Sequence, residues 1–571
     1  MQSRWVFPQP VDSQLVRQFR RDLTLPPFIA EWLIRRGIHT SEEADSFLHP
    51  KLKMLGDPFL LPDMALAVER IGAALLRKEK IVLYGDYDVD GVASLALLAR
   101  FLRAYGGRVE CFLPVRADEG YGLSEAGVRR CFEDFSPDLL IAVDCGTNAV
   151  AEIAEIRRLG ADVIVLDHHE TQSARPDCVA LVNPKRGKDY HYLCSAGVTF
   201  KVCHAILKTT PLGDFDLKDY LDLVALATLA DLVPLVAENR ILVSRGLRQM
   251  ASTRWPGICA LMEVAGVTAP VKAGDVGFRL GPRINAAGRL GTALEALQLL
   301  LTDDPVEARR LATSLDLHNR ERQTVERGVA VEAEKRVSMD YDVLNMRSIV
   351  LGETDWHQGV LGIVASRITK RWHRPSLVIG FTNDGFGKGS GRSIEGFSLV
   401  EALGRCSHLL DKFGGHQMAA GLTLRQDAFK EFRSAFEKVS HDMLNDEMLV
   451  HRLSLDGELP IGDVDDELLR CLEMLEPFGM ENPQPMLVAR AVTPATAPVV
   501  LKEKHLRLEF ASGRRRVNAI FFDGALQELP HPPWDMAFRI ERNDFRGRST
   551  PQIYVSAIRS ATGGNPASAR S

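Results

Sequence analysis

Residues 163–170 read Val-Ile-Val-Leu-Asp167-His168-His169-Glu170, a β-branched apolar run that stops on an acid and two adjacent imidazoles. Two earlier runs stop in the same way: Ile81-Val-Leu-Tyr-Gly-Asp86-Tyr-Asp88-Val-Asp90-Gly91 and Leu139-Leu-Ile-Ala-Val-Asp144-Cys-Gly146. A further carboxylate, Asp231, interrupts the otherwise apolar stretch 223–234. Burying a lone carboxylate costs several kcal/mol, so Asp231 calls for a partner, and a cation is the natural one. Several Asp with one or two His and no Cys suit Mn²⁺, with Mg²⁺ as a competitor. Four carboxylates and an imidazole could hold two such ions about 3.5–4 Å apart with a bridging carboxylate, the arrangement for in-line displacement at phosphorus.

Each of these residues also has a plainer reading. Asp86, Asp88 and Asp90 could form a polar turn capping the next helix. His168 and His169 could be a hydrogen-bonded core pair, Asp144 could cap a helix at Thr147-Asn148, and Asp231 could pair with an arginine. What argues for metal is that all but Asp231, which interrupts a helical run, lie where strands should end. In an open parallel sheet, ligands collect outside the carboxyl ends of the strands.

The elements that must deliver these side chains are legible as periodicity. Between about 65 and 235 helical patterns alternate with apolar runs: 65–77 helical, 81–85 strand, 92–104 helical, 108–113 strand, 139–144 strand, 149–159 helical, 162–166 strand. This alternation predicts βαβ units and a mainly parallel sheet. Residues 1–64 read as a small helical extension. A helical connector follows over 236–340, where 303–337 is charge-laced and nearly free of helix breakers, as expected of long helices bridging two lobes. A second α/β lobe is expected over 341–450, with strands at 347–351 and 376–380, a helix at 359–372, and Gly-rich segments at 385–391 and 414–421. Short alternating runs over 451–560 predict a small OB-like β-barrel. The Ala/Ser/Gly-rich tail 561–571 reads as disordered.

Composition narrows the class. The chain has 571 residues, 46% of them hydrophobic, which predicts two to four domains. Nine scattered cysteines without a C-x-x-C pair exclude zinc fingers and a disulfide framework. No apolar stretch of about 18 residues and no signal-like leader are present, so a soluble cytosolic protein without membrane contact is expected. A net charge of −5 does not announce a nucleic-acid partner, so any such contact must be local.

The set Gly85-Asp-Tyr-Asp-Val-Asp-Gly91, Val143-Asp-Cys-Gly-Thr147, Asp167-His-His169 and Ala227-Thr-Leu-Ala-Asp-Leu-Val-Pro234 closely resembles the four ordered motifs of the DHH phosphoesterase superfamily. Within it, the chain resembles the RecJ branch of bacterial single-strand-specific 5′→3′ DNA exonucleases. Supporting segments are Arg116 with 119–124, Gly281-Pro-Arg-Ile-Asn-Ala-Ala-Gly-Arg289, Trp356-His-Gln-Gly-Val-Leu-Gly362, Ser390-Gly-Arg-Ser393 and Gly414-Gly-His416. Motif I has Tyr84-Gly85-Asp86 where many superfamily members begin with a histidine, which leaves open what completes one ion's coordination.

The resemblance implies two α/β lobes, a DHH domain and a DHH-associated domain, joined by long helices and followed by an OB-like barrel. It implies that Asp88 binds one cation, that Asp90, His168 and Asp231 bind the other, and that Asp144 bridges them. Asp86 and His169 would stand beside the ions in catalysis, and Asp167 would orient an imidazole. Arg392 and Ser393, flanked by Gly389 and Gly391, would hold substrate phosphate through a fork and backbone N–H groups. Arg116, Arg283 and Arg289 would form a 5′-phosphate pocket, and His416 would reach the phosphates near the ions. The three arginines could instead be structural ion pairs, the glycines ordinary turns, and Arg514-Arg-Arg516 a solvated face.

The implied activity is removal of nucleotides from the 5′ end of single-stranded DNA in recombination and repair. The implied setting is the bacterial cytosol, as a monomer, with single-strand-binding protein and a helicase as partners. A short-oligonucleotide or nucleotide phosphatase and a catalytically inactive single-strand-binding scaffold are the alternatives.

Overall fold

The computed structural model describes residues 3–115, 122–172, 174–290, 293–342, 345–513, 515–545 and 548–561, with side chains at all of these but 289, 290, 515, 545 and 548. The chain divides into two compact units, one of residues 56–451 with the first three residues, the other of 4–55 with 452 onward. No described helix is long and apolar enough to cross a membrane.

The first half of the larger unit is a five-stranded parallel sheet of β1 (Lys80–Gly85), β2 (Arg108–Phe112), β3 (Leu139–Val143), β4 (Asp162–Leu166) and β5 (Ala180–Val182), in the order β2-β1-β3-β4-β5. β3 is buried throughout, and β1 and β4 are buried from their second residue on, because helices cover both faces. One face packs Val82, Tyr84, Leu140, Ala142, Val163 and Val165 into a single core. Order reverses between β1 and β3, which makes that crevice the topological switch point where open α/β sheets bind ligands. Gly85 pairs in register with Val143, and Val143 with Leu166. Three adjacent strands therefore end level with one another, and the next residues are Asp86, Asp144 and Asp167.

Helix α1 (Val89–Ala104) follows β1 and is buried over most of its length. Gly91 in its first turn is obligatory by contact: a Cβ there would stand 2.4 Å from the backbone oxygen of Asp86. Helices α2 (Ser195–Thr209) and α3 (Leu221–Ala230) pack against α1. Further helices lead through α4 (Gly281–Leu290) to α5 (Pro305–Asp340), 36 residues long, as the breaker-free charged stretch predicted.

The second half of this unit is a mixed sheet of β6 (Ile349–Thr354), β7 (Ser376–Phe381), β8 (Phe386–Arg392), β9 (Lys412–Gly415) and β10 (Ala419–Arg425), in the order β9-β10-β8-β7-β6. Helix α6 (Leu361–Trp372) packs on β7 and β8. In the Gly-rich segments, whose glycines could be ordinary turns, every glycine but Gly385 lies in a strand. Gly387, Gly389 and Gly391 lie opposite Phe381, Ile379 and Leu377 in the ladder, and a Cβ at each would come within 2.7 Å of that partner's side chain. These glycines make room for large core residues, while Lys388, Ser390 and Arg392 alternate onto the other face.

In the smaller unit a seven-stranded sheet is built from Gly457–Glu458, Leu487–Val492, Val499–Leu501, His505–Ser512, Arg515–Phe521, Trp534–Phe545 and Arg548–Ser560. Helices Ser13–Leu23, Pro27–Arg35 and Ser41–Leu48 share its core, where Phe19, Ile29, Trp32 and Leu33 cluster with Leu508, Phe510, Trp534 and Phe538. The helices at 13–48, part of the segment that the sequence sets apart as 1–64, thus bury their apolar faces on strands more than 400 residues away, whereas 56–64 belong to the larger unit.

Candidate metal centre

The carboxylates gather at the switch point. Ligand atoms of Asp86, Asp88 and Asp144 lie within 4.8 Å of one another, as do those of Asp90, His168 and Asp231, and those of Asp144, His168 and His169. His168 is the hub: its Nε2 is 3.4 Å from Asp144, 3.5 Å from Asp231 and 3.8 Å from Asp90. Asp144 adopts φ +62°, a left-handed conformation uncommon outside glycine, at the residue where β3 leaves the sheet.

Local structure explains each placement. Asp88 does cap α1, accepting from the N–H groups of Asp90 at 2.9 Å and Gly91 at 3.1 Å, so the plainer reading and the metal reading hold together. Asp144 does not cap the next helix, which starts at Val150. Asp231 closes the last turn of α3, and no arginine among the described residues pairs with it. Asp167 is a hydrogen-bond hub beneath the imidazoles. It accepts from the N–H of Thr147 at 3.0 Å and of His168 at 2.8 Å, and lies 2.7 Å from His169 Nδ1. It therefore orients His169, leaving Nε2 of that ring to serve the site. Asn183 completes the support, donating to Thr147 Oγ1 and to the His169 carbonyl.

Electrostatics show what the pocket wants. Burial, with Asp88 adding to it, pushes Asp90 up to about 7, and burial with Asp90 nearby pushes Asp231 up to about 8. Burial and the surrounding carboxylates lift Asp144 well above the carboxylate range. His168 falls to about 4 through burial and the neighbouring His169, so it is a neutral imidazole, the form that ligates metal. Burial lowers His169, but the hydrogen bond and charge of Asp167 more than reverse this, to about 9. Burial opposes ionisation of Asp167 too, yet His169 holds it well below the carboxylate range. Asp231 Oδ2 is buried with no hydrogen-bond donor among the described residues. Carboxylates crowded where ionisation is costly, around a neutral imidazole and an orphaned oxygen, fit divalent cations.

In the same unit, a cavity of about 890 Å³ opens between Val115 and Gly288 on one side and His357, Lys388, Ser390 and Arg392 on the other, and Gly288 packs against Tyr87, between Asp86 and Asp88. No carboxylate among the described residues pairs with Lys388 or Arg392; the Arg392 guanidinium donates to Ser390 Oγ and the Gly391 carbonyl. Lys388 carried no signal in the sequence, and His357 and Ser390 stood only inside longer matched segments, since the alternation along β8 is what turns Lys388 and Ser390 to the cavity.

The remaining expected substrate groups are placed differently. Ser393 is buried, and its hydroxyl donates inward to the Phe397 carbonyl at 2.7 Å. Arg283 is bound to Asp316 at 2.8 Å, the structural pairing that its sequence context left open. The N–H groups of β8 lie between two antiparallel neighbours, and its glycines serve packing rather than forming a phosphate cradle. His416 is exposed after β9 and is not gathered into the carboxylate cluster. Arg289 lies in α4 with its side chain outside the described residues, and Arg116 is outside them altogether. Three contributors escaped sequence reasoning: Ser195, which bonds Asp90 and Asp144; Asn183; and Asn285, whose Oδ1 accepts from Val89 N–H.

Comparison with known proteins agrees with this geometry. The family model for the N-terminal domain of the DHH family matches residues 80–228, the DHHA1 domain matches 343–442, and the RecJ OB domain matches 455–557. The chain is 36% identical over 562 residues to the single-stranded-DNA-specific exonuclease RecJ of Bacillus subtilis (strain 168), covering 97% of this chain and 70% of that one. It is 34% identical over 568 residues to the protein of the same name from Escherichia coli (strain K12), with 94% and 96% covered. The crystal structure of RecJ from Thermus thermophilus in complex with Mn²⁺ matches with a TM-score of 0.85 at 31% identity, covering 98% of this chain and 80% of that one. The Mg²⁺ complex from the same source gives 0.79 at 30% identity, with 98% and 79% covered. Ordered motifs, site geometry and near-full-length similarity converge: the chain belongs to the RecJ family, built on the DHH and DHHA1 domains with a RecJ OB domain.

Proposed function

We propose that this chain is a metal-dependent exodeoxyribonuclease that hydrolyses phosphodiester bonds from the 5′ end of single-stranded DNA. The observation that carries the reading is the two carboxylate groups sharing one strand-end crevice, beside a cavity bearing Lys388 and Arg392 without carboxylate partners among the described residues. Asp90, His168 and Asp231 would hold one divalent cation, Mn²⁺ or Mg²⁺, as in the two Thermus complexes, and Asp86, Asp88 and Asp144 the other. Asp86 then supplies what motif I left open. When bound, such ions lower the pKa of water and neutralise charge at phosphorus.

The protein's own groups do the rest. Asp144 serves both groups, since its carboxylate also lies 3.4 Å from His168. His169, held through Nδ1 by Asp167, would donate from Nε2 to a phosphate oxygen. Lys388 and Arg392 attract and orient the phosphates of the strand, with Arg392 offering a fork. Arg116 and Arg289, which follow Val115 and Gly288 in sequence, remain what the family resemblance offers for a 5′-phosphate pocket. Anchoring a strand end there makes cleavage proceed from that end. Family resemblance adds recombination and repair in the bacterial cytosol as the setting, a monomer as the working form, and single-strand-binding protein and a helicase as partners.

The test is digestion of 5′-labelled and 3′-labelled single strands with Mn²⁺ by the wild type and Asp144→Ala. Release of labelled mononucleotide from the 5′ label at once and from the 3′ label last, by the wild type alone, is expected. Digestion restricted to very short oligomers would mark a nucleotide phosphatase, and cleavage by neither protein a binding scaffold.

A further inference from the structure

Helix α2 begins at Ser195, and this one residue reaches both carboxylate groups. Its backbone N–H donates to Asp90 Oδ2 at 2.7 Å and its hydroxyl donates to Asp144 Oδ1 at 2.9 Å. The next N–H, of Ala196, donates to Asp90 Oδ1 at 2.8 Å. Asp90 belongs with His168 and Asp231, and Asp144 with Asp86 and Asp88 as well as beside His168 and His169. Ser195 is fully buried, so solvent cannot stand in for the hydroxyl. Among the described residues, it makes the one side-chain hydrogen bond to the Asp144 carboxylate.

We propose that Ser195 is a positioning residue that fixes the Asp144 carboxylate against Asp90 and so sets the spacing of the two cation-holding groups. The assignment rests on the two-cation reading above. Its two arms differ in kind. Any non-proline residue at 195 supplies the N–H that holds Asp90, whereas only a hydroxyl holds Asp144. Losing the hydroxyl returns rotamer freedom to a carboxylate that sits on a left-handed backbone at the end of β3. The consequence is unequal: the group in which Asp144 stands with Asp86 and Asp88 loses affinity, and the group of Asp90, His168 and Asp231, which Asp144 only adjoins and whose own three ligands stay in place, keeps most of its own.

Mn²⁺ calorimetry on the full-length, chelator-stripped protein tests this, comparing wild type with Ser195→Ala and with the isosteric pair Ser195→Thr and Ser195→Val. The wild type should show two binding events. Ser195→Ala and Ser195→Val should keep one of them and weaken the other by about 10–100-fold, the usual cost of losing a group that orients a metal ligand. Ser195→Thr should bind like the wild type. In parallel, kcat of Ser195→Ala at low Mn²⁺ should fall and recover as Mn²⁺ is raised, with KM for the strand unchanged. Because Thr and Val have the same shape, a fold disturbed by bulk would affect both alike, and equal losses in the two overturn the assignment. So do superimposable isotherms for wild type and Ser195→Ala, or a change confined to KM. A wild type that binds no Mn²⁺ removes the two-cation reading and this inference with it, whereas normal binding with no cleavage strikes only the proposed activity.

Discussion

The two sheets of the larger unit solve opposite electrostatic problems with different constructions. In the parallel sheet, β1, β3 and β4 are nearly continuous apolar runs that end level, and the first residues beyond them carry Asp86, Asp144 and Asp167. In the mixed sheet the chemistry lies along a strand: β8 alternates glycines packed against Phe381, Ile379 and Leu377 with Lys388, Ser390 and Arg392 facing the cavity. One sheet concentrates negative charge at a point, which suits cations. The other spreads positive charge along a surface, which suits a polyanion. A phosphodiester bond needs both.

The sharpest way to break this division lies in the adjacent imidazoles. His168→Ala should abolish cleavage and weaken Mn²⁺ binding in calorimetry. His169→Ala should lower kcat by about 10²–10⁴-fold, the range for a lost proton-transfer group, with Mn²⁺ binding largely kept. Equal losses of metal by both variants would erase the distinction between ligand and substrate-side neighbour.

A smaller effect separates the two faces of β8. Arg392→Ala should raise KM for single strands by about tenfold or more, from a charge-assisted bond of about 1.5–3 kcal/mol, with kcat little changed. Gly389→Val should instead lower thermal stability by about 1–3 kcal/mol through overpacking, because its Cβ would stand 2.7 Å from Ile379 and 3.1 Å from Leu422. An unchanged Tm with a raised KM in the glycine variant would restore the phosphate cradle that the sequence suggested.

The mildest test is the pH dependence of the stripped protein. Asp90 at about 7 and Asp231 at about 8 are raised above the ordinary carboxylate value, so the folded state binds more protons than the unfolded one across this range. The stability they contribute is present at low pH and is lost as pH rises through those values; His169, raised to about 9, adds to the decline. Melts in EDTA should therefore show Tm falling from about pH 6.5 to about 8.5, and the rise in Tm on adding Mn²⁺ should be larger at the upper end. Asp231→Asn should flatten the EDTA curve. A Tm that rises with pH in EDTA would mean that the carboxylates are already compensated by the protein.

Much of the centre was legible because its signal is local. An apolar run that stops on an acid marks both the strand and what its end carries, so Asp86, Asp144 and Asp167 could be placed together before the register was known. The fold class followed from the same alternation. Along β8 the signal misled: a glycine that makes space for Ile379 and one that cradles a phosphate are the same letter, and only the ladder partner distinguishes them. Arg283 and Ser393 show the same limit, since their partners, Asp316 and the Phe397 carbonyl, are set by packing. The helices at 13–48 could be read as helices, but not as part of a core with Leu508 and Trp534.

By itself, then, the sequence determined the parallel sheet, which of its strand ends carry carboxylates and the kind of ion they invite, because hydrophobic period and residue type act within a few neighbours. Only the tertiary structure decided which oxygen faces which nitrogen. It assigned Asp86 to the group with Asp88 and Asp144, tied Asp167 to the imidazole of His169 rather than to that of His168, and brought Ser195 against two carboxylates 51 and 105 residues away. Those contacts depend on strand register and on the angle at which α2 meets the sheet, and both are properties of the packed core as a whole.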